Sequence, residues 1–183
     1  MSLTELKNLI PDYAKDIKLN LSSLMSDETL TPQQHWGTFL ASALATGNAD
    51  VIAAAQEDAM EHLEENAYSA VKSAAAIMAM NNIYYRFVHL ASNKEYQTLQ
   101  AKLRMNVIGN PGVDKLDFEL WSLAVSIING CGMCVDSHEA ALRKEGLSSS
   151  DIQVVARIAS VVHAVAAVLD GEAALGTPIA HAA

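Results

Sequence analysis

The feature that most constrains this chain is a helical rhythm that occurs twice. A helix carrying Trp36, Phe39, Leu40 and Leu44 runs to a break at Thr46-Gly47-Asn48. A second, from Asp50 to about Glu65, spaces Ile52, Ala55, Ala59 and Leu63 at helical intervals, and a long third passes through Val71, Ala74, Ile77, Met78 and Tyr85. From about Lys115 the order returns: a helix to Ile128, a stop at Asn129-Gly130, a helix from near Cys131 to Gly146, and a long one through Ile158, Val161, Val162, Val165 and Leu169. A shift of 85 positions lays Trp36 on Trp121, Gly47 on Gly132, Ala55 on Ala140 and Ala74 on Ala159, and brings the candidate caps Asn66 and Asp151 together. The shared order of helix, glycine break, helix, cap and long helix predicts an all-α fold built on a duplicated unit. The expected organisation is one domain over 1–183, with pseudo-repeats at about 30–90 and 115–175.

Composition agrees with that class. Only 5% of residues are aromatic and 51% are hydrophobic, with runs such as Ala53-Ala54-Ala55 and Ala74-Ala75-Ala76, a mixture that favours packed helices over sheets. A chain of 183 residues buries about 70% of its unfolded surface, enough for a core without metal or disulfide staples. The net charge of −9 opposes binding to nucleic acid or anionic lipid. Met1-Ser2-Leu3-Thr4-Glu5 lacks the basic and apolar segments of a secretory signal. The longest apolar stretch, Val154 to Leu169, is shorter than a bilayer span and contains Arg157 and His163. A soluble, cytoplasmic protein is expected.

Local signals set further boundaries. Pro11 interrupts an amphipathic start at Leu6, Leu9 and Ile10, and a second segment runs from Asp12 to Met25. Thr31 and Pro32 read as N-cap and first helical residue. Lys94 to Met105 is predicted helical, Asn110-Pro111-Gly112 a turn, Ser150 or Asp151 the cap of the last helix, and the chain from Gly171 onward frayed.

Chemistry concentrates between Ile128 and Glu139. Cys131 and Cys134, three apart on a helix, have Cα atoms about 5 Å apart, inside the range a disulfide tolerates. Gly130 breaks the preceding helix, so both sulfurs fall in a new first turn, where free N–H groups stabilise thiolates. His138 follows at offsets of seven and four, on the same face, where an imidazole can take a thiol proton and return it to an alkoxide. If Asn129-Gly130 turns the chain into a hairpin, Glu119 lies nearly level with His138 and can orient it.

Other readings of these residues stay open at this level. Cys131, Cys134 and His138 could bind zinc in an interaction module, although a closed site wants four ligands. The cysteines could be inert core residues. The scaffold could serve a decarboxylase or lactone-processing enzyme, which gives the paired cysteines no purpose. His35, His62 and His89 lack partners at ligand spacing, and His181 lies in the tail. His163 reads as a hydrogen-bonded core residue that could border the site, the methionines and the pair Trp36 and Trp121 as core packing, and Glu57, Asp58, Glu61, Glu64 and Glu65 as a solvated face.

The set of Glu119, Cys131-x-x-Cys134 and His138, with Leu123-Ala124-Val125-Ser126 and the N-terminal Ala14-Lys15-Asp16-Ile17-Lys18-Leu19-Asn20-Leu21, resembles the AhpD-type alkyl hydroperoxide reductases of the carboxymuconolactone decarboxylase-like superfamily. That resemblance implies Cys134 as the cysteine attacking peroxide, Cys131 as its resolving partner, and His138 and Glu119 as a proton relay. It also implies a trimer with no bound cofactor, electrons from a dihydrolipoyl protein, and their delivery to an AhpC-type peroxiredoxin or directly to organic peroxides. Some members carry a histidine between the cysteines where this chain has Met133, which removes proton transfer at that position. The 85-residue shift puts Gln34 opposite Glu119, Thr46 and Ala49 opposite the cysteines, and Ala53 opposite His138, so the first half is expected to be purely structural.

Overall fold

Capping chemistry fixes where the principal helices begin. In the computed structural model, which describes residues 1–176, the short α1 (Leu3–Leu6) and α2 (Lys15–Met25) lead into α3 (Pro32–Thr46), α4 (Ala49–Met60), α5 (Glu65–Leu90), α6 (Asn106–Gly109), α7 (Lys115–Ile128), α8 (Gly132–Lys144) and α9 (Ser149–Leu175). No strand forms among the described residues. Thr31 and Gln34 make a capping box at α3 with Pro32 in the first turn. Asp114 caps α7 through Leu116 N–H at 2.8 Å. The helix α9 starts earlier than the sequence suggested. Ser148 is its N-cap and Asp151 completes the box from the third position, so Asp151 assists the cap rather than being it.

In each of the two hairpins the turn contains a glycine at positive φ, where a side chain would be strained: Gly47 (φ 76°) after α3 and Gly130 (φ 65°) between α7 and α8. Shifted by 85, the spans of α3, α4 and α5 become 117–131, 134–145 and 150–175, each within three residues of α7, α8 and α9 at either end. The fold is all-α on a duplicated unit, with the Cys-x-x-Cys in the second half.

The two central helices, α3 and α7, pack on each other, and α9 and α5 lie against both. Their seam closes at Gly37: a Cβ there would sit 2.3 Å from Trp121 Nε1, so only glycine admits the fully buried indole. Trp121 Nε1 donates to the Gln34 carbonyl at 3.3 Å. Gln33 and Gln34 both donate to the buried Asp117 carboxylate, at 2.6 and 2.8 Å. Trp36, the repeat partner of Trp121, is only half-buried and stacks on the exposed His62, with ring centroids 5.1 Å apart.

Several sequence expectations fail for local reasons. Lys94 to Met105 is not a helix; only Lys94–Gln97 makes a 3-10 turn. Asn93 Oδ1 accepts from Glu95 N–H, Thr98 Oγ donates to the Glu95 carbonyl, and Lys102 sits at φ 52°, so side chains and a left-handed residue replace the helical ladder. Asn66 does not cap α5; it lies in the first turn, where Glu64 is the N-cap without a side-chain bond. The helix α9 continues past Gly171 to Leu175, because Leu169 and Glu172 are buried and Tyr13 Oη donates to Glu172 at 2.7 Å. Pro178 and His181 fall outside the described residues. His163 is exposed on α9, not in the core. Asp58 is partly covered and accepts from Leu3 N–H, tying α1 to α4.

The helix α9 is long and apolar enough to cross a bilayer. It is a core helix here: Val154, Val155, Ile158, Ala159, Val162 and Val165 are buried at helical spacing against α3 and α7.

Candidate active site

The hairpin between α7 and α8 places the reactive groups. Asn129 ends α7, Gly130 turns the chain, and Cys131 N–H donates back to the Ser126 carbonyl at 3.1 Å. Cys131 thereby becomes the N-cap of α8, a position normally held by Ser, Thr, Asp or Asn. Its Sγ accepts from Cys134 N–H at 3.3 Å. The two cysteines are joined as a disulfide with Cα atoms 5.3 Å apart, the separation one helical turn supplies.

Glu119 and His138 meet across the hairpin. His138 Nδ1 lies 2.6 Å from Glu119 Oε2, and both residues are only 8% exposed. A carboxylate can only accept, so Nδ1 donates to Glu119 and Nε2 is the ring nitrogen left for proton exchange. That Nε2 lies 3.3 Å from Met78 Sδ, a soft, polarisable contact. Glu119 holds His138 through Nδ1, and the Met78 thioether packs against the other side of the ring without bonding to it. Among the described residues no group of three His, Cys, Asp or Glu side chains is arranged to hold a metal ion.

The cysteines differ in access. Cys131 is fully buried, while Cys134 is 7% exposed and lines a cleft of about 430 Å³ together with His138 and Glu119. Met78, Tyr85, Met105, Ile108 and Met133 supply most of its apolar wall.

Much of that wall was not legible as site. Met78, Asn81 and Tyr85 come from α5, in the half expected to be purely structural; the first half lacks the cysteines, the acid and the histidine, yet it builds one side of the cleft. The same helix braces the cysteine turn. Asn82 Nδ2 donates to Ser126 Oγ at 2.9 Å, Asn129 Nδ2 donates to Asn82 Oδ1 at 3.0 Å, and Arg86 donates to the Asn129 carbonyl at 2.5 Å. The signal available in the sequence was Asn81-Asn82 itself: two adjacent asparagines, poor helix formers, in the middle of a long helix.

Comparison with known proteins decides the family. A profile of the carboxymuconolactone decarboxylase family matches residues 94–176, the half that carries the cysteines. The alkyl hydroperoxide reductase AhpD of Brucella anthropi is 61% identical over 170 residues, 93% of this chain and 97% of that protein. Those of Maricaulis maris and Rhodopseudomonas palustris are also 61% identical, over 172 and 174 residues, covering 94% and 95% of this chain and 99% and 96% of theirs.

The chain belongs to the AhpD family.

Within an AhpD-family chain, the hairpin disulfide and the buried Glu119–His138 pair occupy one cleft, and every group in it comes from α5, the segment before α7, α7 or α8. Membership makes the chain a peroxide-reducing oxidoreductase.

Proposed function

We propose that the chain is an antioxidant dithiol oxidoreductase in which Cys134 attacks an alkyl hydroperoxide, Cys131 resolves the product, and His138 held by Glu119 moves the proton. The observation that carries this assignment is the difference in access: Cys134 borders the cleft and Cys131 is sealed behind it. His138 takes the Cys134 thiol proton. The thiolate bonds to the terminal peroxide oxygen, the O–O bond breaks, and the alkoxide takes the proton from His138. Cys134 is then a sulfenic acid. Cys131 attacks its sulfur, the S–O bond breaks, and the proton lost from the Cys131 thiol goes to the departing hydroxide, which leaves as water as the disulfide closes. In the reduced protein, Cys131 at the helix N-cap has the adjacent N–H groups to favour its thiolate for that second step.

Electrons return from a dihydrolipoyl group on a partner protein, which reopens the disulfide by exchange. The reduced pair delivers them to peroxide directly or to an AhpC-type peroxiredoxin. No resident cofactor enters the cycle, and the chain works in the cytoplasm. It forms one domain with pseudo-repeats at about 30–90 and 115–175. It assembles as a homotrimer, a reading supported by Ile83, Phe87 and Leu90, which expose 57%, 50% and 71% of their surface along one face of α5. Light scattering at micromolar concentration should give the mass of three chains, and a monomer would contradict it.

Consumption of cumene hydroperoxide with dihydrolipoamide as reductant tests the activity. Turnover that disappears in Cys134→Ser is the expected result. Absence of turnover in the native protein, directly and with an added AhpC-type peroxiredoxin, would refute the reading.

A further inference from the structure

The helix α5 presents Met78, Asn81, Asn82 and Tyr85 at helical spacing along one stripe toward the hairpin. Met78 touches the His138 ring and Asn82 is bonded to both Ser126 and Asn129. Asn81 differs from these neighbours. It lines the cleft beside Cys134 and His138, it is only 4% exposed, and its Oδ1 has no hydrogen-bond partner among the described residues. A buried amide oxygen left unpaired destabilises the fold, and asparagine is a poor residue for a helix interior. Leucine, of nearly the same size, would suit the apolar wall better. The placement is explained if the missing partner is a molecule that enters the cleft.

We propose that Asn81 is a substrate-binding residue that accepts a hydrogen bond from the O–H of an organic hydroperoxide and holds its terminal oxygen toward Cys134. This rests on the peroxide-reducing reading above and adds the group that orients the substrate. The O–H in question survives the reaction. In R–O–O–H the terminal oxygen carries the hydrogen; after the Cys134 thiolate bonds to that oxygen and the O–O bond breaks, the same O–H belongs to the sulfenic acid, and R–O⁻ leaves with the proton from His138. One acceptor can therefore hold the transferred hydroxyl from substrate to product. The wall of Met78, Tyr85, Met105 and Ile108 takes the organic group, so the class favoured is an alkyl or aralkyl hydroperoxide.

The test is Asn81→Leu, with the two half-reactions measured separately. Protein reduced with dihydrolipoamide and desalted is mixed with cumene hydroperoxide, and thiol loss is followed by stopped flow. Disulfide protein is mixed with dihydrolipoamide in the reverse experiment. The expected result is a second-order oxidation rate lower by roughly 10–100-fold, as for one lost substrate hydrogen bond. Reduction by dihydrolipoamide should stay within about twofold, with a thermal midpoint equal to or above the native one, because an unpaired buried amide has been removed. A native oxidation rate in Asn81→Leu would overturn this proposal alone. So would slowed reduction, which would assign the amide to the electron donor, or an equal loss in both half-reactions with a lowered midpoint, which would make it structural. A native protein that cumene hydroperoxide does not oxidise would overturn the underlying reading and this proposal with it. If Asn81→Leu does not accumulate as folded protein, Asn81→Ala gives the same comparison, and failure of both to fold would make Asn81 structural.

Discussion

The hairpin of α3 and α4 and the hairpin of α7 and α8 solve the same backbone problem with different atoms. In each, one helix ends at a short turn containing a left-handed glycine, Gly47 or Gly130, and the next begins with a side chain that satisfies an orphan N–H. In the first hairpin the N-cap is Asn48, whose Oδ1 accepts from Val51 N–H at 2.9 Å and whose Nδ2 donates to Asp170 at 2.7 Å. In the second it is Cys131, whose sulfur accepts from Cys134 N–H at 3.3 Å. A cysteine is the weaker cap and the more reactive one. The helix end that in one hairpin only anchors the chain becomes, in the other, the place where a disulfide opens and closes.

The comparison breaks most visibly where the second hairpin adds groups that the first lacks. His138→Phe or Glu119→Phe should slow peroxide turnover by roughly 10²–10⁴-fold, the range for lost general acid–base catalysis, while leaving the cysteines able to form their disulfide. Steady-state rates on each variant check this, and a loss below tenfold in both would remove the relay from the account.

The seam between the halves should respond in stability. Gly37→Ala drives a methyl into the buried Trp121 indole and should lower the unfolding free energy by about 1–3 kcal/mol, read from a shifted denaturant midpoint. A native midpoint would show that the two central helices separate more freely than their packing implies.

How much of this was legible depended on whether the deciding contacts are local. The span Lys115–Ile128 could be read because Asp114 and Asn129-Gly130 mark its ends within the chain itself, and Thr31 with Pro32 marked the start of α3 in the same way. The run Ser148-Ser149-Ser150-Asp151 offered several equivalent caps, and only the reciprocal bonds of Ser148 and Asp151 select one. Glu119 and His138 could be set nearly level because a single tight turn joins their helices. Met78, Asn81 and Tyr85 could be placed on a helix, but nothing local said which neighbour their stripe would face. Periodicity identifies a buried face, and the partner of that face is fixed by packing between elements far apart in the chain.

Smaller effects sharpen the contrast between the caps. Asn48→Ala should destabilise the protein by about 1 kcal/mol and leave peroxide turnover unchanged, because the first hairpin carries structure without chemistry. Unfolding midpoints and rates measured on the same preparation separate the two, and an equal fall in activity would contradict the division of labour.

The smallest expected effect is a pH dependence in the first half. Burial beside Trp36 and Phe39 pushes the His35 imidazole below its ordinary value, against the opposing influence of the Asp27 carboxylate and with a lesser contribution from His62 in the same direction. Such a histidine stays neutral in the folded chain while the unfolded chain takes up a proton. Its contribution to stability is present above about pH 6.5 and is lost as pH falls through the folded value. His35→Leu should flatten the decline in unfolding free energy between neutral pH and about pH 5, the range set by that linkage. An unchanged slope would assign the decline to other groups.

The central claim, that Cys134 meets the peroxide and Cys131 resolves it, is tested most directly by trapping the sulfenic acid. Reduced Cys131→Ser and Cys134→Ser proteins are each treated with one equivalent of cumene hydroperoxide and a sulfenic-acid-specific reagent, and the modified residue is located by mass spectrometry. The account predicts an adduct on Cys134 in Cys131→Ser and none on Cys131 in Cys134→Ser. An adduct on Cys131 in Cys134→Ser, with Cys134 unmodified in the other variant, would reverse the order of attack and contradict the reading of the cleft.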